Sequence, residues 1–314
     1  MLFSGQLMNR QFINPASVGT RGPLRASLAY RTQWTTIASP FKSIAASMEF
    51  KPSSRNQTSG FAYGLNIWSQ DFGEPSFKIL NLEGIVNYKL SLTQSSNLAV
   101  GLSTSFDQRS FNTQGGEWGS QFNGFFYDPG IPSGESFPSD SESSLEIGAG
   151  AEYTIDFQSG SRKKKSGNRL TLGAAVKHAG RMSLSESQYL SNELNSRYDI
   201  YALAEFSIGK MSAIAPAFFS HFQGGSSRIL PGVFYKQILV TGTSFIYDVK
   251  ESALYIGAFY EVNRALIAQA YVEWGQYQLG LAYEFDLSDY KEYSSGRRAF
   301  ELNFAYRWNR NKRK

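Results

Sequence analysis

Residues able to do chemistry are few and scattered. The chain carries two histidines, His178 and His221, and no cysteine. Neither histidine has a second ligand at metal spacing, and no H-E-x-x-H, G-x-S-x-G or phosphate-loop sequence occurs. Gly148-Ala149-Gly150 lacks the third glycine of a dinucleotide fingerprint and falls inside an alternating segment, where it reads as small residues easing strand packing. The 26 carboxylates show no acid/base constellation by spacing. The expectation is a non-enzymatic chain without cofactor or metal. Basic residues concentrate in Arg162-Lys163-Lys164-Lys165 and in Arg310, Lys312, Arg313 and Lys314, against a net charge of only +5. Nucleic-acid surfaces interleave such charge with stacking aromatics, so no nucleic-acid partner is expected.

The remaining charges are informative through their phase. Arg25, Arg31, Glu49, Glu83, Lys89, Glu152, Glu205, Glu273 and Glu301 all sit on the polar phase of segments whose other phase is apolar. Leu24, Ala26, Leu28 and Tyr30 alternate with Arg25, Ser27, Ala29 and Arg31, the period of a strand. Enclosed together, such charges need partners, because unpaired interior charge is costly. Arg31 and Glu301 fall on the first and last segments, so closing the sheet would bring them across one seam.

Composition agrees with strands that cross a membrane. Aromatics make up 15% of the chain and charged residues only 18%, yet no run of 18 apolar residues exists. Alternation hides lipid-facing residues from any average, the signature of a transmembrane β-barrel. A tilted strand crossing a bilayer needs about 9–11 residues, and most candidates here reach that length. They start at Leu24, Ile44, Phe61, Leu80, Leu98, Leu145 and Leu170, then cover 198–208, 211–222, 229–237, 239–247, 252–262, 265–273, 276–286 and 299–308. That makes fifteen, whereas single-chain bacterial barrels take even numbers. Pro216 and Pro231 interrupt two neighbouring candidates, so one of that pair is expected to dissolve into a loop and leave fourteen strands. A sixteen-strand count would need a further strand near 121–127. In the last strand Phe300, Leu302, Phe304, Tyr306 and Trp308 are expected to face lipid, and Glu301, Asn303, Ala305 and Arg307 the lumen. The Gly/Ser/Phe/Pro-rich stretch 108–143 is expected to be an extracellular loop not needed for folding, 159–167 a periplasmic turn, and 185–194 the best short helix.

Two motif sets resemble a known family. Asn14-Pro15-Ala16 with Gly19, followed by Tyr30-Arg31-x-Gln33-Trp34, resembles the N-terminal signature of the PorP/SprF family, and Gln6, Asn9, Gln11, Phe12 and Ile13 fit its entry. Near the other end Tyr283-Glu284-Phe285-Asp286, Tyr293-Ser294-Ser295-Gly296 and Glu301 resemble its closing pattern, with Glu284-Phe285 departing from the usual Tyr-Asp spacing. The resemblance implies an outer-membrane barrel of the type IX secretion and gliding machinery. It further implies a non-enzymatic role: helping secrete or anchor a surface adhesin and contacting periplasmic components of the same machinery.

The expected organisation is a periplasmic N-terminal segment 1–23 packed against or into the barrel, an all-β closed antiparallel transmembrane barrel over 24–308, and a basic tail 309–314. The first four residues lack a basic n-region and an apolar h-region, so the chain is read as processed or trimmed. Defined turn residues in the N-terminal segment point to a fixed structure, and Asn14, Pro15, Ala16, Gly19, Tyr30, Arg31, Gln33 and Trp34 are the candidate partner-binding residues. Two other barrel readings stay open, a fatty-acid-transporter-like barrel with an apolar tunnel and a general porin. A soluble β-rich binding module is the reading outside the membrane.

Overall fold

The computed structural model describes residues 3–36, 39–52, 59–73, 77–111, 117–134, 141–157, 168–183, 195–240 and 252–308. Fourteen antiparallel strands close into one barrel, each pairing with its sequence neighbours and the last with the first. They are β1 (Leu24–Gln33), β2 (Phe41–Phe50), β3 (Gly60–Phe72), β4 (Phe77–Ser91), β5 (Ser96–Phe111), β6 (Ser141–Phe157) and β7 (Asn168–Ser183). The second half holds β8 (Arg197–Ser207), β9 (Ser212–Gln223), β10 (Ser226–Val240), β11 (Ser252–Glu261), β12 (Ala265–Trp274), β13 (Tyr277–Asp286) and β14 (Arg297–Trp308). Full closure leaves no unpaired sheet edge, the only way strands can cross hydrocarbon.

Alternation sorts the side chains as the sequence leads one to expect. Phe300, Leu302, Phe304 and Trp308 lie exposed on the outer wall, whereas Glu301, Asn303 and Ala305 are buried inside. The wall is uneven: β6 has 17 residues and β5 16, against 10 each for β1 and β2. Strands β5 and β6 therefore extend past the expected ends of the 108–143 loop, and the connection shrinks to 112–140. Their outermost pairs, such as Gln108↔Ser143 and Ser110↔Ser141, are polar on both faces, so hydrophobic alternation could not mark them. We refer to the end carrying this connection as the far rim, and to the end where β1 begins and β14 stops as the near rim. Around 121–127 there is a 3₁₀ turn (Gly119–Gln121) and one isolated bridge, Phe122↔Tyr127, rather than the further strand a sixteen-strand count would need. The segments 159–167 and 185–194 lie outside the described residues.

Both prolines sit in strands, which corrects the expectation that one of their segments would become a loop. The ladder between β8 and β9 runs Leu203↔Ala217 and resumes at Phe206↔Ile214, so it is open where Pro216 stands. The ladder from β10 to β11 begins at Gly232↔Phe259, one residue past Pro231. Each proline thus points its missing donor at a gap, while the β9–β10 ladder between them is continuous. The surplus candidate is instead 239–247. Its first two residues finish β10, and the rest lies outside the described residues.

Outward residues near mid-height should be the costly ones to charge. Phe304, between Leu28 and Leu279 on neighbouring strands, is expected to lose roughly 2–4 kcal/mol of folding stability in bilayers as Phe304→Arg, and Trp308→Arg at the rim clearly less. Refolding titrations read by heat-modifiable gel mobility check the order.

Candidate functional site: the lumen plug and the barrel seam

Residues 3–23 occupy the lumen. Two 3₁₀ turns, Arg10–Phe12 and Pro15–Ser17, give this segment its shape. Asn14 caps the second turn: its Oδ1 accepts from the Ala16 backbone N–H at 2.8 Å. Its Nδ2 meanwhile donates to the Ala151 carbonyl at 2.9 Å and to the Tyr201 hydroxyl at 3.2 Å. Proline at the next position suits a turn whose first N–H would have no partner. The wall makes room for the turn with glycine. A Cβ on Gly101 would lie 2.4 Å from the Pro15 carbonyl carbon, and one on Gly150 2.1 Å from Asn14 Oδ1. These two glycines face each other across β5 and β6. Gly150 is therefore small to seat the Asn-Pro-Ala turn rather than to ease strand packing.

The rest of the plug is pinned strand by strand. Gly19, held at φ 72°, donates its N–H to Glu49 at 2.9 Å. Glu49 also receives Arg21 at 2.7 Å and Arg25 at 3.0 Å, and both arginines donate to the Met8 carbonyl. Asn87 donates to the carbonyls of Ala16 and Val18 at 3.0 and 2.7 Å. Arg10 pairs with Glu152 at 3.0 Å, and Gln6 meets His221, which leans on Asp199. Pro23 hands the chain to β1 at the near rim, where its carbonyl accepts from Lys51.

Toward the far rim the plug meets the seam where the barrel closes. Arg31 on β1 stands opposite Glu301 on β14. Its Nη1 lies 2.7 Å from Glu284 and 3.4 Å from Glu301. Ser4 and Gly5 donate their backbone N–H groups to the two oxygens of Glu301 at 2.6 and 2.9 Å, and the Ser4 hydroxyl bonds both Arg31 and Glu284. Arg228 and Arg298 add pairs to Glu261 at 3.0 and 3.1 Å and reach Glu284 at 3.6 Å. Three arginines thus balance three glutamates in one cluster, and a fourth, the partly exposed Arg264, reaches Glu261 at 3.6 Å. Just outside it, Trp34 takes φ 59°, donates its N–H to the Arg298 carbonyl and lies under the Arg298 guanidinium. Ser294 bonds Asp286, and its carbonyl accepts from Thr36. Arg31 and Trp34 of the N-terminal motif thus meet Glu284, Asp286, Ser294 and Glu301 of the C-terminal one in this one junction.

The lumen divides into two halves. From β8 to β12 it is filled by rings: Tyr201, Phe219, Phe259, Phe234, Tyr271 and Tyr255 follow one another at centroid distances of 4.1–6.3 Å. Gly173, Gly232 and Gly257 leave room for Tyr201, Phe259 and Phe234. On the other side a solvent-reaching space of ≈ 460 Å³ remains between Phe3 and Phe12 of the plug and the wall residues Glu83, Lys177 and His178. A bulge shapes it, because pairing steps from Ile147↔Gly180 to Ala149↔Val176. His178, at φ 56°, is thereby turned to Glu146, while Lys177 bonds Glu83 at 2.7 Å. Among the described residues no group of three His, Cys, Asp or Glu could hold a metal ion.

Of the lumen charges expected from the sequence, Arg25, Arg31, Glu49, Glu83, Glu152 and Glu301 are buried and paired. Lys89, Glu205 and Glu273 are half-buried near the near rim, where Glu205 pairs with Lys236 and Glu273 with Arg307. Of the candidate partner residues, Asn14, Pro15, Ala16, Gly19 and Arg31 are enclosed, Tyr30 faces lipid, and Gln33 and Trp34 are half-buried at the far rim. Sequence reasoning missed Arg10, Arg21, Asn87, Gly101, Arg228, Glu261 and Arg298. Only their polar phase could have flagged the strand members.

The sequence profile of the family described as type IX secretion system membrane protein PorP/SprF matches residues 2–306. The chain belongs to the PorP/SprF family. Among curated proteins none matches it. In fold it is similar to the toluene transporter TbuX of Ralstonia pickettii, with TM-score 0.53, 10% identity, and 96% of this chain and 94% of that one covered. It is also similar to the CymD monoaromatic hydrocarbon channel, at TM-score 0.50, 10% identity, and coverage of 96% and 93%. At such identity these likenesses speak to the barrel alone. Family and fold together make this an outer-membrane barrel of the type IX secretion system.

Removing one member of a buried ion cluster strands its partners. Arg31→Met is expected to cost roughly 3–5 kcal/mol, and adding Glu284→Gln to recover part of it. Thermal unfolding in detergent micelles reads both. Gly101→Ala, whose Cβ would crowd Pro15 and Ala16, is expected to lower the unfolding temperature of plug and barrel together, in one transition.

Proposed function

We propose that this PorP/SprF barrel is a closed, non-enzymatic docking scaffold. It helps secrete or anchor an adhesin-type protein at its outward rim and meets periplasmic components of the machinery at the other. The observation that carries this reading is the plug: an ordered segment, pinned by hydrogen bonds and ion pairs from most of the strands, stands where a channel would need open water. A plain open pore has no use for such a segment, whereas a scaffold gains rigidity from it. The far rim, with its raised wall and longest connection, is the outward face, since extracellular loops of such barrels are the long ones. Within the N-terminal motif, Gln33 and Trp34 reach the far rim and Tyr30 the lipid-facing wall, so direct partner contact falls to these three. Asn14, Pro15, Ala16, Gly19 and Arg31 serve it indirectly, by fixing the plug and the seam beneath.

Tagged protein isolated from its own outer membrane is expected to bring down a secreted polypeptide, and the purified barrel in planar bilayers to show no steady conductance. A stable open-channel current from the intact chain, with no secreted polypeptide recovered, contradicts the scaffold and favours transport.

A further inference from the structure

The connection between β5 and β6 is folded over 117–134. Gln121 is its pivot: buried itself, it accepts the Trp118 N–H at 3.2 Å and donates to the Ile131 carbonyl at 2.9 Å, while its own carbonyl accepts from Asp128. Asn123 closes the tip by accepting the N–H groups of Phe125 and Phe126 at 3.0 and 3.1 Å. A bridge joins Phe122 to Tyr127. This framework holds rings away from the protein. Phe125 is 92% exposed, Phe126 63% and Phe122 58%.

Apolar side chains fixed in water by a hydrogen-bonded frame mark an interaction site rather than a slack loop. Rigid aromatic anchors set in a polar surround are the residues that dominate protein interfaces. Charge decides between the two surfaces available at the far rim. From Glu117 to Gly134 the chain carries two carboxylates, Glu117 and Asp128, and no lysine, arginine or histidine. Segments that lie on anionic lipid pair their aromatics with basic residues that meet the phosphates. This knuckle would repel them.

We propose that the knuckle is a docking element for protein: Phe122, Phe125 and Phe126 enter an apolar cleft, rimmed by basic side chains, on the polypeptide held at the outward rim. This rests on the scaffold reading above, and it adds to the rim contacts of Tyr30, Gln33 and Trp34 a site apart from the plug and the seam. The described residues of the loop, 117–134, bear none of the lumen bonds, so the knuckle can be altered without touching the barrel's closure.

The test uses the full chain in its own outer membrane. A photoreactive benzoyl-phenylalanine at position 125 is expected to cross-link to the same polypeptide that co-purifies with the unaltered barrel. Phe125→Ser with Phe126→Ser is expected to lower recovery of that polypeptide at least tenfold, with heat-modifiable mobility unchanged. Glu117→Lys, which leaves the rings in place and reverses one charge, is expected to lower it several-fold. Full recovery from the double variant overturns the proposal and leaves the scaffold reading standing. A cross-link to lipopolysaccharide or to a second copy of the barrel overturns it too. If the unaltered barrel brings down no polypeptide at all, the scaffold reading itself fails, and this proposal with it.

Discussion

The structure depends on one guanidinium. Arg31 lies on the first strand, opposite Glu301 on the last, and within reach of Glu284 on the strand beside it. A barrel closes only when its ends find one register, and a slip of one residue would exchange lumen and lipid faces along the whole seam. An arginine that can be neutralised in one alignment alone forbids the slip, since a buried charge without its partner is among the costliest defects in a fold. The N–H groups of Ser4 and Gly5 complete the same site. Closure and plugging are therefore one event.

Other features follow from filling the lumen. The segment that enters is polar in backbone, so the wall supplies side chains to receive it: Asn87 for two carbonyls, Glu49 for Gly19, Arg25 for Met8. Where the plug does not reach, rings fill the space between β8 and β12, seated against glycines on neighbouring strands. Plug and rings together make the interior a packed frame, apart from the solvent-reaching space beside Phe3 and Phe12.

Much of the fold is legible in the sequence, because lipid demands strict alternation and closure demands an even strand number. Alternation placed the last strand's faces and the lumen charges, and bringing the two ends together anticipated the pair Arg31–Glu301. It failed where the bilayer exerts no pressure, as in the polar ends of β5 and β6. The prolines misled for a definite reason. A lost donor disqualifies a residue only if a partner strand is waiting for it, and at Pro216 and Pro231 the ladder is open on that side. Gly101 and Gly150 show the same limit from another direction: their smallness answers to Asn14 and Pro15, residues about ninety and about one hundred and forty positions away, and no local pattern carries that information. Sequence anticipated Arg31 and Glu301 across the seam but not Glu284, Ser4 and Gly5, which complete that junction from other segments.

The central claim, that plug and seam form one cooperative unit, is tested most directly by native-state hydrogen exchange on the intact barrel in lipid. The N–H groups of Ser4, Gly5, Ala16 and Gly19 are expected to exchange only through global opening, as slowly as those of β1 and β14 in mid-strand. Exchange of these four amides orders of magnitude faster, with the strand amides still protected, would show a plug that leaves the lumen while the barrel stays shut.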